Sequence, residues 1–591
     1  MGSVDVTVEI CGMSGDGTIA AGGLLNAAIS AAGFSVLGFD SYPAEIRGFG
    51  RCVTRSRIGD DEIVALEDGV DVLISLDDVQ SQSRIGFLAE DAAVFFENNP
   101  PAYVKEEDSL AARLEPGVQL YGMPLADLSS GVAGSSRGRN LTALGGFAAV
   151  FGVSPESFRS VIREKFESKG DGVVDANVKS FDAGYDYARR SFSDRMREAL
   201  SEASSDEGGE KVMLSGNVAM GKAAVDAGLK LYFGYPITPA TPIMEYLATE
   251  LPRAGGSVVQ MEDEISSIAA VLGGFFSGAR SMTATSGPGF ALMTELITHG
   301  VATETPAVVV NVQRGGPSTG LPTKTEQSDL HASVFGGPGD SIRIVVAPSN
   351  VAECYHYTVR SFQWAERYQT PVIVLSDFYL GNRIENLPMP EASSAEVADW
   401  NEYPGDANRD GYARFEVTDS GISPRAVPGM EGFEFSATGL EHLASGTPDY
   451  SADIHTLMSE KRMRKIRGAL CDLPPPEEYS TGRKLKVGVI GWGSTFGSVL
   501  EAVRIGWEKG YEVGALKITS LFPYHEDEIR EFMSRCDEVL IPELNLQGQL
   551  ANLIGHLHSR DVVRMDRATG VPIPPSAILR EIERLLEVNS A

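Results

Sequence analysis

The chain has 591 residues, 43% of them hydrophobic, and carries a formal charge of −31 at pH 7. That acidity excludes nucleic acid and anionic membrane as partners, because both need clustered Lys and Arg. The length sets a prior of about four domains. No run of about eighteen apolar residues is present to span a membrane, and Met1 leads almost directly into a strand-like run at 4–10, so no signal peptide is expected. The five cysteines (Cys11, Cys52, Cys354, Cys471, Cys536) stand far apart with no C-x-x-C. This chain therefore shows no zinc or iron–sulfur ligand set of its own, and a reducing cytoplasm is the expected setting.

In chain order, residues 1–190 read as a first α/β domain. The opening strand gives way to G-M-S-G-D-G and then to a helix-like T-I-A-A-G-G-L-L-N-A-A. Such glycines gather backbone amides at a helix start, where an anion binds. The spacing of Gly12, Gly15 and Gly17 is not G-x-G-x-x-G, however, and a plain tight turn accounts for it equally well. The loop S-Y-P-A-E-I-R-G-F-G (41–50) holds Glu45 and Arg47, readable as a local ion pair or as a contact with substrate or coenzyme. Residues 191–211, with Ser, Glu and Gly prominent, have linker composition.

Residues 212–383 form the next domain. Apolar runs at 229–233, 257–261, 281–284 and 306–312 read as buried strands, separated by helix-like stretches at 241–251, 265–278 and 290–303. Two further strand-like runs (342–347 and 371–375) flank a helix-like 351–368. This alternation predicts a doubly wound parallel sheet with right-handed crossovers. Four polar pieces follow or close the first four strands: Y-P-I-T-P (235–239), M-E-D-E (261–264), T-A-T-S-G-P-G (283–289) and N-V-Q-R-G-G-P-S-T-G (311–320). Ligands of such sheets bind in the crevice at the carboxyl ends of the strands, so the four pieces are expected to meet in space.

Each piece has a bland reading beside a chemical one. The three acids of M-E-D-E suit a positive helix end, at about 0.3–1 kcal/mol each, or one of them performs acid–base work. Thr238, between Ile237 and Pro239, offers a turn hydroxyl or a donor to a ligand. Arg314 beside two glycines makes a structural ion pair or holds a carboxylate bidentately. Ser286 and Gly287 permit close approach to the backbone.

Between 384 and 483 the composition changes, with Pro, Gly, Asp and Ser frequent at 386–448. A helix-like stretch at 452–467 carries Lys461, Arg462, Arg464, Lys465 and Arg467, for which a solvated face is expected ahead of a grip on phosphate or a partner subunit. L-P-P-P-E-E marks a further linker. The last segment, 484–591, is again α/β. Its Gly491, Gly493 and Gly497 miss the dinucleotide spacing by one residue, a weak Rossmann signal.

Together the four central pieces resemble the α chain of the 2-oxoacid:ferredoxin oxidoreductases, which are thiamine-diphosphate enzymes. Y-P-I-T-P and the run V-Q-R-G-G-P-S-T-G-L-P-T-K-T-E-Q-S-D-L (312–330) carry the likeness, the second most like the 2-oxoglutarate branch. The first segment resembles the family's γ subunit, fused here ahead of α, but departs from its pattern at Met13, Ser14, Pro43, Ala44 and Phe49. The last resembles the family's transketolase C-terminal-like domain. The implied fold is multidomain α/β: a γ-type domain (1–190), a linker (191–211), a doubly wound pyrimidine-binding thiamine-diphosphate domain (212–383), an irregular connecting region (384–483) and the C-terminal-like domain (484–591).

The resemblance places the working acid at Glu264, bonded to the cofactor's aminopyrimidine. It makes Thr238 a donor to the substrate's 1-carboxylate with Arg314 as a second ligand, and lines the cofactor with Tyr235, Pro236, Ile237, Ser286 and Gly287. Lys324, His299 and His331 receive no role. G-D-G occurs at 15–17 and 170–172, but neither copy precedes an Asn in a diphosphate-binding context. The diphosphate, Mg²⁺ and a [4Fe–4S] cluster are therefore expected in a β subunit, in an (αβ)₂ assembly. The implied reaction is oxidative decarboxylation of 2-oxoglutarate with coenzyme A to succinyl-CoA and CO₂, with electrons passing to ferredoxin. Run backwards it fixes CO₂, as in a reductive TCA cycle. The alternatives are pyruvate or branched-chain 2-oxoacids as substrate, or a non-catalytic scaffold.

Overall fold

The computed structural model describes residues 4–41, 50–99, 109–201, 211–405 and 411–588. Glu45 and Arg47, with Pro43, Ala44 and Phe49, lie outside the described residues.

Val308, Val309, Val310 and Val312, and the facing Val372, Ile373 and Val374, are apolar at consecutive positions, so both faces of their strands must be covered. The strands Ala307–Gln313 and Pro371–Asp377 are buried at every residue and pair in parallel along their whole length, from Ala307 beside Pro371 to Gln313 beside Asp377. They stand in the middle of a seven-stranded sheet ordered Ser520–Phe522, Ile344–Val346, Pro371–Asp377, Ala307–Gln313, Ser281–Thr285, Leu231–Gly234, Ser257–Gln260. All neighbours run parallel except Ser520–Phe522, an antiparallel edge strand lent by the C-terminal segment. Helices Thr241–Glu250, Glu264–Phe276, Gly287–Ala302 and Val351–Tyr368 lie between the strands in sequence. From Leu231–Gly234 the chain goes first to the edge strand Ser257–Gln260, then back past its start to Ser281–Thr285. That reversal is the doubly wound topology the sequence predicts, and it opens a crevice at the switch point.

Two compact units emerge: residues up to Leu214 with Arg383–Met389, and Ser215–Asn382 with the chain from Pro390. The first is built on an eight-stranded sheet ordered Gln119–Met123, Leu88–Glu97, Val70–Ser75, Asp5–Met13, Arg51–Gly59, Ser35–Ser41, Ile384–Pro388, Lys211–Ser215. Its last two members correct the expected boundaries. Lys211–Ser215 closes what reads as linker, and Ile384–Pro388 comes from what reads as irregular connecting sequence. Asn386 explains the second capture: its amide accepts from Val36 N at 2.8 Å and donates to Phe34 O at 2.8 Å and Ser30 Oγ at 2.9 Å.

In the glycine turn of this unit Gly17 has φ 79° before the helix Thr18–Ala31. Asp16 fills the turn with its own carboxylate, accepting from Met13 N at 2.9 Å and pairing with Arg139. That occupancy favours the plain tight turn over anion binding. The other G-D-G, at 170–172, opens the helix Asp171–Ser191.

In the second unit a five-stranded sheet is ordered Glu477–Ser480, Val513–Lys517, Leu485–Gly491, Cys536–Glu543, Val563–Asp566. The basic helix Ala452–Gly468 contradicts the solvated-face expectation at two positions. Lys461 and Lys465 are buried and both pair with Glu304, itself fully buried at the turn before Ala307–Gln313. Arg414 adds a bond to Glu304 O at 2.7 Å. Burial alone would raise the Glu304 pKa, but Lys465, Lys461 and Arg414 outweigh it and hold the carboxylate ionised.

Candidate active site

Four turns converge at the carboxyl ends of four adjacent strands. After Leu231–Gly234 come Tyr235 (41% exposed), Pro236, Ile237 and Thr238. Ile237 O accepts from Ala240 and Thr241 amides as the chain bends into the helix Thr241–Glu250, and buried Asn217 donates to Pro239 O at 3.0 Å. Tyr235 and Pro236 face solvent and bond none of the other candidates among the described residues. Thr238 is exposed; its hydroxyl makes no hydrogen bond among the described residues, while its carbonyl accepts from Arg314 Nη1 at 2.7 Å.

After Ser257–Gln260 the acids divide their labour. Asp263 is the N-cap of Glu264–Phe276, accepting from Ser266 N at 2.7 Å in a reciprocal capping box. Glu262 is exposed. Glu264, the first helical residue, turns inward and is only 6% exposed. Its carboxyl lies against Gly289, where an added Cβ would come 2.4 Å from Glu264 Oε1 and 2.2 Å from Thr285 Oγ1. Only a glycine lets the first turn of the helix Gly287–Ala302 approach so closely. The Glu264 carboxyl makes no hydrogen bond among the described residues and is free to take one from a ligand in the crevice.

The turn after Ser281–Thr285 holds Ser286, whose hydroxyl is buried with no partner among the described residues, and Gly287. A Cβ at Gly287 would meet Asp329 Oδ2 at 2.7 Å and Oδ1 at 3.0 Å. Two carboxyl groups thus flank one helix start, Glu264 at Gly289 and Asp329 at Gly287. Asp329 accepts from Asn311 Nδ2 at 3.2 Å, and its backbone is fixed by Gln313 Oε1 at 2.9 Å. Sequence reasoning misses Asp329 and Asn311, although both lie inside the quoted pieces; an acid closing a loop reads by default as a helix cap.

Arg314 ends the strand Ala307–Gln313. It is 7% exposed, and its Nε is buried with no partner among the described residues. Burial lowers its pKa, against the attraction of Asp329 and Glu264. A guanidinium with one nitrogen on Thr238 O and another unspent can still take up a carboxylate.

The run after Arg314 is seated on the C-terminal segment through Gln327. Its side chain donates to Trp492 O at 3.2 Å and accepts from Thr495 Oγ1 at 2.6 Å, while its backbone bonds Leu544 O and Asn545 Nδ2. A Cβ on Gly493, which has φ 55°, would come 2.6 Å from Gln327 Nε2. The G-W-G-S turn that misses the dinucleotide spacing is filled by this glutamine. Gln549 extends the seat with bonds to Ser328 O and to the backbone N–H of His331.

An α/β crevice with a buried acid at one helix start, an arginine opposite and glycines between is built to take a ligand, and the family model that matches over this domain is a thiamine-diphosphate-binding one. Three family models match: "Pyruvate ferredoxin/flavodoxin oxidoreductase" over residues 7–187, "Pyruvate flavodoxin/ferredoxin oxidoreductase, thiamine diP-bdg" over 222–461, and "Pyruvate:ferredoxin oxidoreductase core domain II" over 486–578. The 2-oxoglutarate oxidoreductase subunit KorA of Mycobacterium tuberculosis is 32% identical over 98% of this chain and 92% of its own. The 2-oxoglutarate synthase subunit KorA of Methanothermobacter thermautotrophicus is 39% identical over 58% of this chain and 89% of its own. Among solved structures, 2-oxoglutarate:ferredoxin oxidoreductase from Magnetococcus marinus, with 2-oxoglutarate, coenzyme A and succinyl-CoA bound, is 35% identical. It superposes with a TM-score of 0.92 over 98% of this chain and 99% of that one. The chain belongs to the 2-oxoacid:ferredoxin oxidoreductase family, as a subunit of a multi-subunit oxidoreductase. No helix among the described residues is long and apolar enough to cross a membrane.

Proposed function

We propose that this chain is the α subunit, with a γ-type domain fused ahead of it, of a 2-oxoglutarate:ferredoxin oxidoreductase. 2-Oxoglutarate, coenzyme A and two oxidised ferredoxins give succinyl-CoA, CO₂, two reduced ferredoxins and a proton. The observation that carries the reading is Glu264: a buried residue whose carboxyl makes no hydrogen bond among the described residues, at the switch-point crevice of a chain whose full-length relatives bear this activity in their names.

The residues fit the pyrimidine end of thiamine diphosphate. Glu264 would exchange a proton with the ring nitrogen, the unspent Ser286 hydroxyl and Gly287 would line the ring, and Tyr235, Pro236 and Ile237 would border it. When bound, the cofactor supplies the carbon nucleophile that attacks the 2-oxo group and the sink for the electrons that CO₂ leaves behind. Arg314 and the Thr238 hydroxyl would orient the substrate's 1-carboxylate, each charge-assisted bond contributing about 1.5–3 kcal/mol. The diphosphate, Mg²⁺ and a [4Fe–4S] cluster belong to a β subunit in an (αβ)₂ assembly, with ferredoxin as the electron acceptor. The five cysteines, which form no disulfide among the described residues, support a reducing, cytoplasmic setting.

The test is turnover of the chain co-purified with its β subunit on a panel of 2-oxoacids, with coenzyme A and ferredoxin. 2-Oxoglutarate is expected to have the highest kcat/KM. A preference for pyruvate or a branched-chain 2-oxoacid overturns the substrate assignment while leaving the chemistry in place.

A further inference from the structure

Glu326 stands in the family-specific run after Arg314, yet the reaction as proposed gives it no task. The loop it belongs to closes on itself directly beyond the arginine. Gly315 N donates to Lys324 O at 3.0 Å, and Leu321 N donates to Gly315 O at 2.8 Å. A Cβ on Gly315 would come 2.9 Å from Leu321 Cβ, so this neck has no slack. Gly316, the next residue, is different: a Cβ built there would meet nothing within 4 Å among the described residues. Packing on that side does not locate its backbone. A side chain does. Glu326 Oε2 accepts from Gly316 N at 3.2 Å and from Ser328 Oγ at 3.3 Å, and the residue is only 8% exposed.

We propose that Glu326 is a positioning residue for substrate binding. Through the Gly316 N–H it fixes the backbone that follows Arg314, and so aims the guanidinium at the substrate's 1-carboxylate. This rests on the reading of Arg314 as a substrate ligand.

Arg314 needs such help because order runs out around it. The strand Ala307–Gln313 ends one residue earlier. The guanidinium is tethered at one nitrogen only, Nη1 on Thr238 O at 2.7 Å, while Nε has no partner among the described residues. A planar fork on one tether takes its direction from where its own backbone stands. On one side that is set by the strand, on the other by Gly315 and Gly316. Two glycines in succession are the freest backbone available, so the hold on Gly316 has to come from outside the turn.

Glu326 is itself well founded. On one side of it Thr325 Oγ1 donates to Asp377 Oδ1 at 3.2 Å, at the end of the central strand Pro371–Asp377. On the other Gln327 N donates to Leu544 O at 2.9 Å, on the C-terminal segment. The acid therefore measures off the position of Gly316 from two fixed points. Its burial keeps water from competing for the bond.

The experiment measures kcat and KM for 2-oxoglutarate, with the thermal midpoint, in the assembled enzyme carrying Glu326→Ala, Glu326→Gln, Arg314→Gln and the Glu326→Ala/Arg314→Gln pair. Glu326→Ala is expected to raise KM about tenfold with little change in kcat. Glu326→Gln keeps an oxygen for the Gly316 N–H and is expected to restore most of the wild-type KM. In the Arg314→Gln background, Glu326→Ala is expected to add nothing, because residues that act through one another are not additive. Should Glu326→Ala fail to assemble, Glu326→Asp, one methylene too short to reach Gly316, takes its place with the same expectations. A wild-type KM in Glu326→Ala, or the same rise in KM with and without Arg314, overturns the proposal while leaving Arg314 a substrate ligand. A KM that Arg314→Gln leaves unmoved shows instead that Arg314 does not bind the substrate, and the reading beneath the proposal fails.

Discussion

Gly289 shows how a residue without a side chain directs chemistry. The Glu264 carboxyl occupies the space a Cβ would need, and Thr285 Oγ1 closes in from the other side. Gly289→Ala must therefore push either the catalytic candidate or the helix start. Displacement by about 1 Å near a reacting centre costs on the order of 10²-fold in rate, whereas a single added methyl in a packed site costs about 1–3 kcal/mol of stability. Gly289→Ala in the assembled enzyme is accordingly expected to lower kcat by one to two orders of magnitude with the assembly intact. A kcat within twofold of wild type would mean that Glu264 tolerates displacement and is not poised as described. The same glycine stands in T-S-G-P-G, but its role is not readable there, because the atom it makes room for lies on another strand's turn.

At the scale of elements, the helix Ala452–Gly468 is tied to the central sheet by buried charge. Lys461 and Lys465 converge on Glu304, which adopts a left-handed φ of 48° in the turn before Ala307–Gln313. Removing one member of a buried charge set leaves the others uncompensated, at about 3–5 kcal/mol. Glu304→Gln is expected to lower the thermal midpoint by several degrees and to loosen the helix Ala452–Gly468, which proteolysis followed by mass spectrometry would register. An unchanged midpoint would show that the lysines find other partners.

This tie was not legible in the sequence, for a physical reason. Lysines at helical spacing read as solvent-facing because the acid that justifies their burial is 157 residues away. The strands that were legible are those buried on both faces, such as Ala307–Gln313, where composition alone specifies the environment. Lys211–Ser215, an edge strand, and Ile384–Pro388 beside it were hidden because half-exposed strands at the rim of a sheet borrow their identity from their partners. Asn386, the residue that fastens one of them, bonds groups some 350 positions earlier. In the site, each turn was readable from its own strand end, but the Arg314 bond to Thr238 and the packing of Asp329 on Gly287 exist only once the strands are side by side.

For the whole molecule, the second unit is joined within itself by the edge strand Ser520–Phe522 and by one loop that reaches the site. The run from Arg314 to Asp329 begins in the crevice, ends beside it and in between is bolted to the C-terminal sheet through Gln327 and the turn at Gly493. A family-specific sequence is thus also a structural joint, and the C-terminal sheet is read most simply as the support of that loop. The account's central claim, that Glu264 works on a cofactor completed by another polypeptide, belongs to this scale because only the assembly contains the finished site. The direct measurement is 2-oxoglutarate-dependent ferredoxin reduction by Glu264→Gln in the co-purified enzyme, alongside its thiamine diphosphate content. Loss of general acid–base help predicts a fall in kcat of about 10²- to 10⁴-fold, with subunit assembly kept. Turnover equal to wild type, with cofactor bound, would contradict the account.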